Sequence, residues 1–367
     1  MRVLVAPDKY AGTLSAVEAA DAIADGWRRH APGDEVDLAP MSDGGPGFVD
    51  VVQAAVGGEL LATAVTGLPD QDVQYDALPA TLLRDGDTVY LECAQAVGLA
   101  VAGDSDPLRR SSHAVGVLLA HALEAGARRI VVGVGGTATT DGGAGLLAAL
   151  GAYADGGDLD DGPHGLRTIE AVDLTGPQAL FHGIELVLAS DVDSPLAGLF
   201  GAAKTFGPQK GLAEADLPWV DATLQRFADL TDKRLALEPG AGAGGGIGFG
   251  LMLLGAQRIS GIELVADLTD LAGRARSADV VVTGEGAFDF SSRAGKVPAG
   301  VAAVAAEALR PCVVIAGRVD VGAREMRALG MDAAYSLVES AGADRALAEP
   351  ATVLAEVAER VARTWSR

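Results

Sequence analysis

Arg129-Ile130-Val131-Val132-Gly133-Val134-Gly135-Gly136-Thr137-Ala138-Thr139-Thr140-Asp141-Gly142-Gly143-Ala144-Gly145 decides the fold class. A short β-branched run leads into a turn of glycines and hydroxyls, and that turn opens an Ala-rich helical stretch. This is the βα step of a parallel sheet covered by helices. The step recurs outward in both directions, at Val3 to Ala6, at Ile184 to Ala189, at Val280-Val281-Val282 and at Cys312-Val313-Val314-Ile315-Ala316. In sheets of this kind ligands bind beyond the carboxyl ends of the strands, so the loops after these runs carry the functional interest.

The intervening sequence fills in the frame. Residues 15–30 read as an amphipathic helix, with Ser15 as N-cap and Glu18 completing a capping box. Residues 59–92 alternate and carry turn signals at Gly67-Leu68-Pro69-Asp70 and Asp85-Gly86-Asp87, which predicts antiparallel strands and the start of a mixed sheet. Residues 155–168 read as a polar exposed loop and residues 346–364 as one terminal helix. No internal repeat of fixed period is present.

Length and composition narrow the classes. A chain of 367 residues is too long for one ordinary core and predicts two domains. Hydrophobic residues make up 49% and aromatics 4%, with 49 glycines, which suits an α/β enzyme with Ala, Val and Leu cores rather than a β-sandwich. The formal net charge of −22 argues against nucleic acid and membrane surfaces as partners, since no basic stripe is present to meet phosphates. Any anion site must then be made locally positive by a few Lys or Arg side chains or by helix N-termini. Cys93 and Cys312, the two cysteines, form neither a disulfide framework nor a zinc pattern. The apolar stretch at the N-terminus is too short for a signal peptide, and a cytoplasmic protein is expected.

Seven segments carry candidate chemistry. Ala6-Pro7-Asp8-Lys9-Tyr10-Ala11-Gly12-Thr13 delivers an acid and a lysine side by side from a buried strand, offering Asp8 for a metal or a hydroxyl and Lys9 for an anion. Ser42-Asp43-Gly44-Gly45-Pro46-Gly47 places Asp43 beside Gly44 and Gly45, whose backbone N–H groups can approach a phosphate or carboxylate, although most Asp-Gly pairs are plain turns. The 133–145 segment offers Gly135, Gly136, Thr137, Thr140, Asp141, Gly142 and Gly143 for the same purpose, with Thr139 as a further hydroxyl. Ser190-Asp191-Val192-Asp193-Ser194-Pro195 ends an apolar strand. There Asp191 is a metal ligand or general base, and Asp193 is a candidate cap for the next turn. Phe206-Gly207-Pro208-Gln209-Lys210-Gly211 offers Lys210 as a phosphate-reaching lysine or, equally, a solvated one. Pro239 to Gly248 includes Gly242, Gly244 and Gly245. It satisfies G-x-G-x-x-G formally but lacks the preceding strand of a dinucleotide fingerprint. Thr283-Gly284-Glu285-Gly286-Ala287-Phe288-Asp289, followed by Gly295-Lys296-Val297-Pro298, is expected to turn at Gly-Glu-Gly. That turn would present Glu285 and Asp289 to a metal and Lys296 to a phosphate.

Taken in order, these segments resemble the type I glycerate kinases. That family reads A-P-D-(S/K)-F-K-G-(S/T)-L-S-A, A-D-G-G-E-G-T, G-G-S-x-T-N-D-G-G-A-G, S-D-V-x-N-P-L, F-G-P-Q-K-G, P-G-A-G-A-A-G-G-L-G and T-G-E-G-x-x-D-x-Q-(S/T)-x-x-G-K-x-P. Counterparts run from residue 6 to residue 298. The resemblance implies transfer of the γ-phosphate of ATP to D-glycerate with Mg²⁺, and 2-phosphoglycerate as product. It also implies two α/β domains with the active site in a cleft: a Rossmann-like parallel-sheet domain built from both chain ends (1–58 plus 280–367) and an inserted mixed-sheet domain (59–279). The sequence departs from the pattern at Ala11, Pro46, Thr140, Ser194 and Ser291, while Asp8, Asp43, Asp141, Asp191, Lys210, Glu285, Asp289 and Lys296 are retained.

The expected chemistry is positioning and charge neutralisation. Mg²⁺ would meet at least one of Asp191, Glu285 and Asp289, Lys210 or Lys296 would face the transferred phosphoryl group, and Asp8, Asp43 or Asp191 would accept the hydroxyl proton. The five departures keep a kinase for another small hydroxy acid, or a metabolite-binding relative without turnover, as alternatives. The two Gly-rich segments formally allow a dinucleotide-dependent oxidoreductase, which ranks below the kinase. A homodimer is compatible with the sequence.

Overall fold

A computed structural model of the chain describes residues 1–66, 77–289 and 296–366. The expected turn at Gly67-Leu68-Pro69-Asp70, the departure at Ser291 and Gly295 lie outside these residues. The described strands are β1 (Arg2–Val5), β2 (Glu35–Leu38), β3 (Glu59–Thr66), β4 (Ala77–Asp85), β5 (Thr88–Glu92), β6 (Arg129–Gly133), β7 (Tyr153–Asp155), β8 (Ala171–Asp173), β9 (Glu185–Ala189), β10 (Gln257–Ile259), β11 (Val280–Phe288), β12 (Cys312–Val319) and β13 (Ala333–Ser336). The chain separates into two compact units. Met1–Asp43, Asp50–Gly57 and Gly261–Arg367 form the first, and Gly44–Val49 and Gly58–Ser260 form the second.

The first unit is built on a five-stranded sheet of order β13-β12-β11-β1-β2, parallel throughout. Counted in chain order within the unit, this is the 2-1-3-4-5 arrangement of a doubly wound sheet, whose order reverses between β1 and β11. Val3, Val5, Val280, Val282, Val313 and Ile315 pack with Ile23, Trp27, Val353 and Val357 of the helices Ala16–His30 and Pro350–Trp365. The alternate residues Leu4, Val281 and Val314 are buried as well, as a strand covered on both faces requires. Each such Val or Leu contributes roughly 1.5–3 kcal/mol by leaving water. The capping box of the first helix forms as read, with Ser15 Oγ accepting from Glu18 N and Glu18 Oε2 accepting from Ser15 N.

The second unit holds a six-stranded sheet of order β10-β9-β6-β5-β4-β3. β10, β9, β6 and β5 run parallel, and β4 and β3 complete it antiparallel. The expected antiparallel region at 59–92 and the turn at Asp85-Gly86-Asp87 are both present, with Asp85 paired to Thr88 across the hairpin.

Four local expectations differ from what forms. Gly284-Glu285-Gly286 is not a turn. β11 continues to Phe288 because Gly284, Glu285, Ala287 and Phe288 pair with Ile315, Ala316, Arg318 and Val319 of β12. Residues 155–168 are not simply a loop, since Leu159 and Leu166 are buried and anchor a short helix at Gly162–Gly165. The terminal helix is broken at Glu349, because Pro350 starts a new helix where it needs no N–H partner. Residues 261–279 form the helices Gly261–Leu268 and Leu271–Ser277 and count with the first unit. Arg274 Nε bonds Asp37 Oδ2 at 2.8 Å beside β2, and Asp279 Oδ2 accepts from Arg2 N at 2.8 Å.

Candidate active site

In the first unit the chain leaves β1 at Val5 and crosses the carboxyl edge of the sheet at its switch point. Ala6 N bonds Val282 O at 2.7 Å, Asp8 N bonds Gly284 O at 2.8 Å, and Thr283 Oγ1 donates to Ala6 O at 2.8 Å. These bonds hold Asp8 beside the middle of β11, at the place where doubly wound sheets bind ligands. Asp8 is buried, and its Oδ1 accepts from Lys9 N at 2.7 Å. Lys9 Nζ lies 3.4 Å from Asp8 Oδ1 and 3.5 Å from Asp43 Oδ1, so one ammonium bridges two carboxylates. Burial pushes the Asp8 carboxyl up to about 6. Lys9 opposes the rise and Asp43 adds to it. Burial works to lower the Lys9 ammonium, but the two carboxylates outweigh it and raise it.

Glu285 is also buried, and Lys296 Nζ stands 4.0 Å from its Oε2. Asp289 is half-buried just past the end of β11. Tyr10 was not singled out by the sequence. Its buried hydroxyl donates to Ile315 O at 2.5 Å, and burial raises the phenol above its ordinary range. Ala11, where the family pattern has lysine, is exposed, and Lys9 is the lysine that meets the acids here.

In the second unit the candidate groups again gather beyond the carboxyl ends of parallel strands. Past β6, the Gly44-Gly45 turn lies directly on the chain, with Gly135 N bonded to Gly44 O at 3.0 Å. A Cβ on Gly135 would stand 2.6 Å from Gly45 Cα, so these glycines answer to close backbone packing. Pro46 lays its ring against Gly136. Glu92, the last residue of β5, accepts from Gly47 N at 2.9 Å and from Val49 N at 3.5 Å, and so fixes that turn. An acid closing an apolar strand was its only sequence signal.

Asp141 is fully buried and works as an anchor. Its carboxylate accepts from Ser112 N and Ser112 Oγ, both at 2.7 Å, from Gly143 N at 3.1 Å and from Gly145 N at 3.2 Å. Burial raises its carboxyl, against the pull of these four donors. Lys210 is buried too. Its Nζ donates to Thr139 O at 2.8 Å and approaches Thr137 Oγ1 at 3.4 Å. Burial lowers its ammonium to about 7, assisted by Arg110 and opposed by Asp141. The solvated-lysine reading of Lys210 is therefore set aside. Gly245 completes this corner, since a Cβ there would stand 1.8 Å from Thr139 O and 2.8 Å from Lys210 Nζ. The glycine-rich turn that includes Gly242 and Gly244 thus has a packing role against the 139–143 chain, reinforced by the bond from Gly142 N to Gly245 O at 3.1 Å.

The hydroxyls of Thr139, Thr140 and Ser194 are buried without hydrogen-bond partners. Buried hydroxyls are normally satisfied, so these three are groups that a polar ligand would complete. After β9, Asp191 Oδ1 accepts from Ser260 Oγ at 2.5 Å. Asp193 does not cap the following turn. It pairs with Arg258 Nη2 at 2.7 Å, a partner 65 positions along the chain that the sequence did not reveal.

Asp191 belongs to the second unit, and Glu285 and Asp289 to the first. Among the described residues no three His, Cys, Asp or Glu side chains are arranged to hold a metal ion. Carboxylates not gathered into one cluster still fit Mg²⁺, which takes one or two of them alongside phosphate oxygens, and they do not fit a closed all-protein cage.

Acids and lysines presented at the carboxyl ends of two sheets define an α/β enzyme. A model of the glycerate kinase family matches residues 3–366. The chain is 39% identical to the glycerate 2-kinase of Escherichia coli strain K12, over 93% of this chain and 92% of that protein. It is 35% identical to the glycerate kinase of Halalkalibacterium halodurans, over 100% and 99%. It is also similar to a crystal structure from Salmonella typhimurium LT2 with the provisional name glycerate kinase 2, at a TM-score of 0.79 and 35% identity over 99% of this chain and 98% of that one. The chain belongs to the glycerate kinase family. No helix among the described residues is long and apolar enough to cross a membrane.

Proposed function

We propose that the enzyme transfers the γ-phosphoryl group of ATP to D-glycerate, giving 2-phosphoglycerate. The observation that carries this reading is the Asp8–Lys9–Asp43 cluster at the switch point of the doubly wound sheet. A carboxyl near 6 is ionised at neutral pH yet basic enough to take a proton from a substrate hydroxyl as the new P–O bond forms. Lys9, held between two acids, keeps Asp8 oriented and offers an ammonium to an incoming oxyanion. Lys210 and the hydroxyls of Thr139, Thr140 and Ser194 are the groups of the second unit suited to a carboxylate or phosphoryl oxygen. Mg²⁺, carried on the nucleotide and met by Glu285, Asp289 or Asp191, would neutralise charge on the phosphates.

A second reading, a kinase for a different small hydroxy acid, is favoured by Thr140 and Ser194. Both stand where the family pattern has asparagine, and both hydroxyls lack partners. The test is the purified protein with Mg-ATP and D-glycerate, reading ADP release and coupling to enolase. ADP with an enolase-competent product is expected. ADP without that signal would move the product to 3-phosphoglycerate. No ADP above the glycerate-free background would sink the acceptor assignment in favour of another hydroxy acid.

A further inference from the structure

We infer that Arg110 is a positioning residue for the second unit's buried lysine, its guanidinium clamping the turn from which Lys210 reaches the Thr137–Thr139 segment. The inference rests on the reading of Lys210 as a charge-neutralising group in phosphoryl transfer. Arg110 is only 6% exposed, and its polar atoms are all directed into the chain. Nε donates to Ser105 Oγ at 2.9 Å, Nη1 to Lys210 O at 2.7 Å, and Nη2 to Ser105 O at 2.7 Å and Gly103 O at 3.5 Å. None of these partners is a carboxylate. A buried guanidinium whose hydrogen bonds go to carbonyls and one hydroxyl is a costly arrangement for stability alone, since burial outweighs the favourable pull of Asp106.

What the arrangement achieves is local. Lys210 is the last residue of the short turn Pro208–Lys210, whose terminal carbonyl has no helical partner. A cation on that carbonyl is favourable, and the planar fork ties it to the 103–105 backbone in one geometry. Gly211, at φ 91°, then turns the chain away immediately. The backbone of Lys210 is pinned on one side by Arg110 while its ammonium is held on the other by Thr139 O. The hydrogen bonds of Arg110 run to Ser105, Gly103 and Lys210 O, so its influence on the reaction passes through Lys210. The charged groups acting on Lys210 are Asp141, which favours its charged form, and Arg110, which disfavours it, and Asp106 in turn acts on Arg110.

The test compares Arg110→Gln and Arg110→Lys with Lys210→Met in the full chain, measuring kcat, KM for both substrates, the pH–rate profile and thermal melting. If a protonated Lys210 is needed, activity falls on the alkaline side as it deprotonates. Arg110→Gln removes both the fork and a neighbouring positive charge. Its kcat should fall about 10- to 100-fold, with each KM within about threefold of wild type, and the alkaline limb should move to higher pH. Arg110→Lys keeps the charge and loses the fork, so kcat should fall while the limb stays in place. A merely structural arginine would lower the melting temperature and leave both kcat and the limb of the folded fraction unchanged, and that result overturns the inference. Should Arg110→Gln fail to fold, Arg110→Lys decides by the same criterion. Lys210→Met with wild-type turnover would instead remove the reading of Lys210 on which the inference rests, which separates the two failures.

Discussion

Each unit of this enzyme sets a lysine near an aspartate, half-buried at Lys9 and buried at Lys210, and the two lysines behave in opposite ways. In the first unit Lys9 faces two carboxylates within 3.5 Å, and its ammonium is stabilised. Asp8, crowded by Asp43 and by burial, is the group whose ordinary ionisation is disturbed, rising to about 6. In the second unit burial raises Asp141 against its four donors, and it also drives Lys210, whose Nζ finds a carbonyl and a hydroxyl, toward neutrality. The same two residue types therefore yield a carboxyl of raised proton affinity in one place and a weakly held lysine proton in the other. What differs is which partner is left short of compensating charge once water is removed.

The comparison breaks most visibly at Asp8. Asp8→Asn keeps the shape and removes the proton acceptor, so turnover should fall about 100- to 10,000-fold with the fold intact, as read by steady-state kinetics and circular dichroism. Wild-type turnover would show that Asp8 is not the base. Asp141→Ala should act the other way round, through stability. It leaves four donors without their acceptor, and a loss of about 3 kcal/mol or more is expected in urea unfolding. A loss under about 1 kcal/mol would mean that the anchor is dispensable.

The smallest effect separates the two pairs by pH. Asp8 has a folded-state value above its unfolded one, so its contribution to stability is fully present below the ordinary carboxyl value. That contribution is lost as pH rises through about 6. Lys210 is lowered in the folded state, so between about 7 and the ordinary lysine value the unfolded chain holds more protons. Stability should rise with pH in that window. Each slope is at most about 1.4 kcal/mol per pH unit for one proton. Asp8→Asn should flatten the acidic slope and Lys210→Met the alkaline one, measured by urea unfolding across pH. A variant that leaves its own slope unchanged would show that the perturbed proton resides elsewhere.

Much of this architecture was legible because it rests on short-range patterns. The apolar runs became strands, the Ser15–Glu18 box capped its helix, and Asp85-Gly86-Asp87 turned a hairpin. Candidate residues at strand ends were legible for the same reason, since a βα loop is local. The Gly-Glu-Gly segment was misread as a turn because glycine's local preference yields to pairing with β12, a partner far along the chain.

By itself the sequence determined the fold class, the family and the inventory of acids, lysines and glycine turns, all written in local periodicity and in ordered motifs. Only the tertiary structure decided which of those side chains lose their water and with whom. Lys210 finds Thr139 O across 71 positions, Arg110 finds Lys210 O across 100, and Asp8 N finds Gly284 O at a still larger separation. Protonation and positioning depend on burial and on distances of a few ångströms, and both are set by contacts between residues remote in the chain.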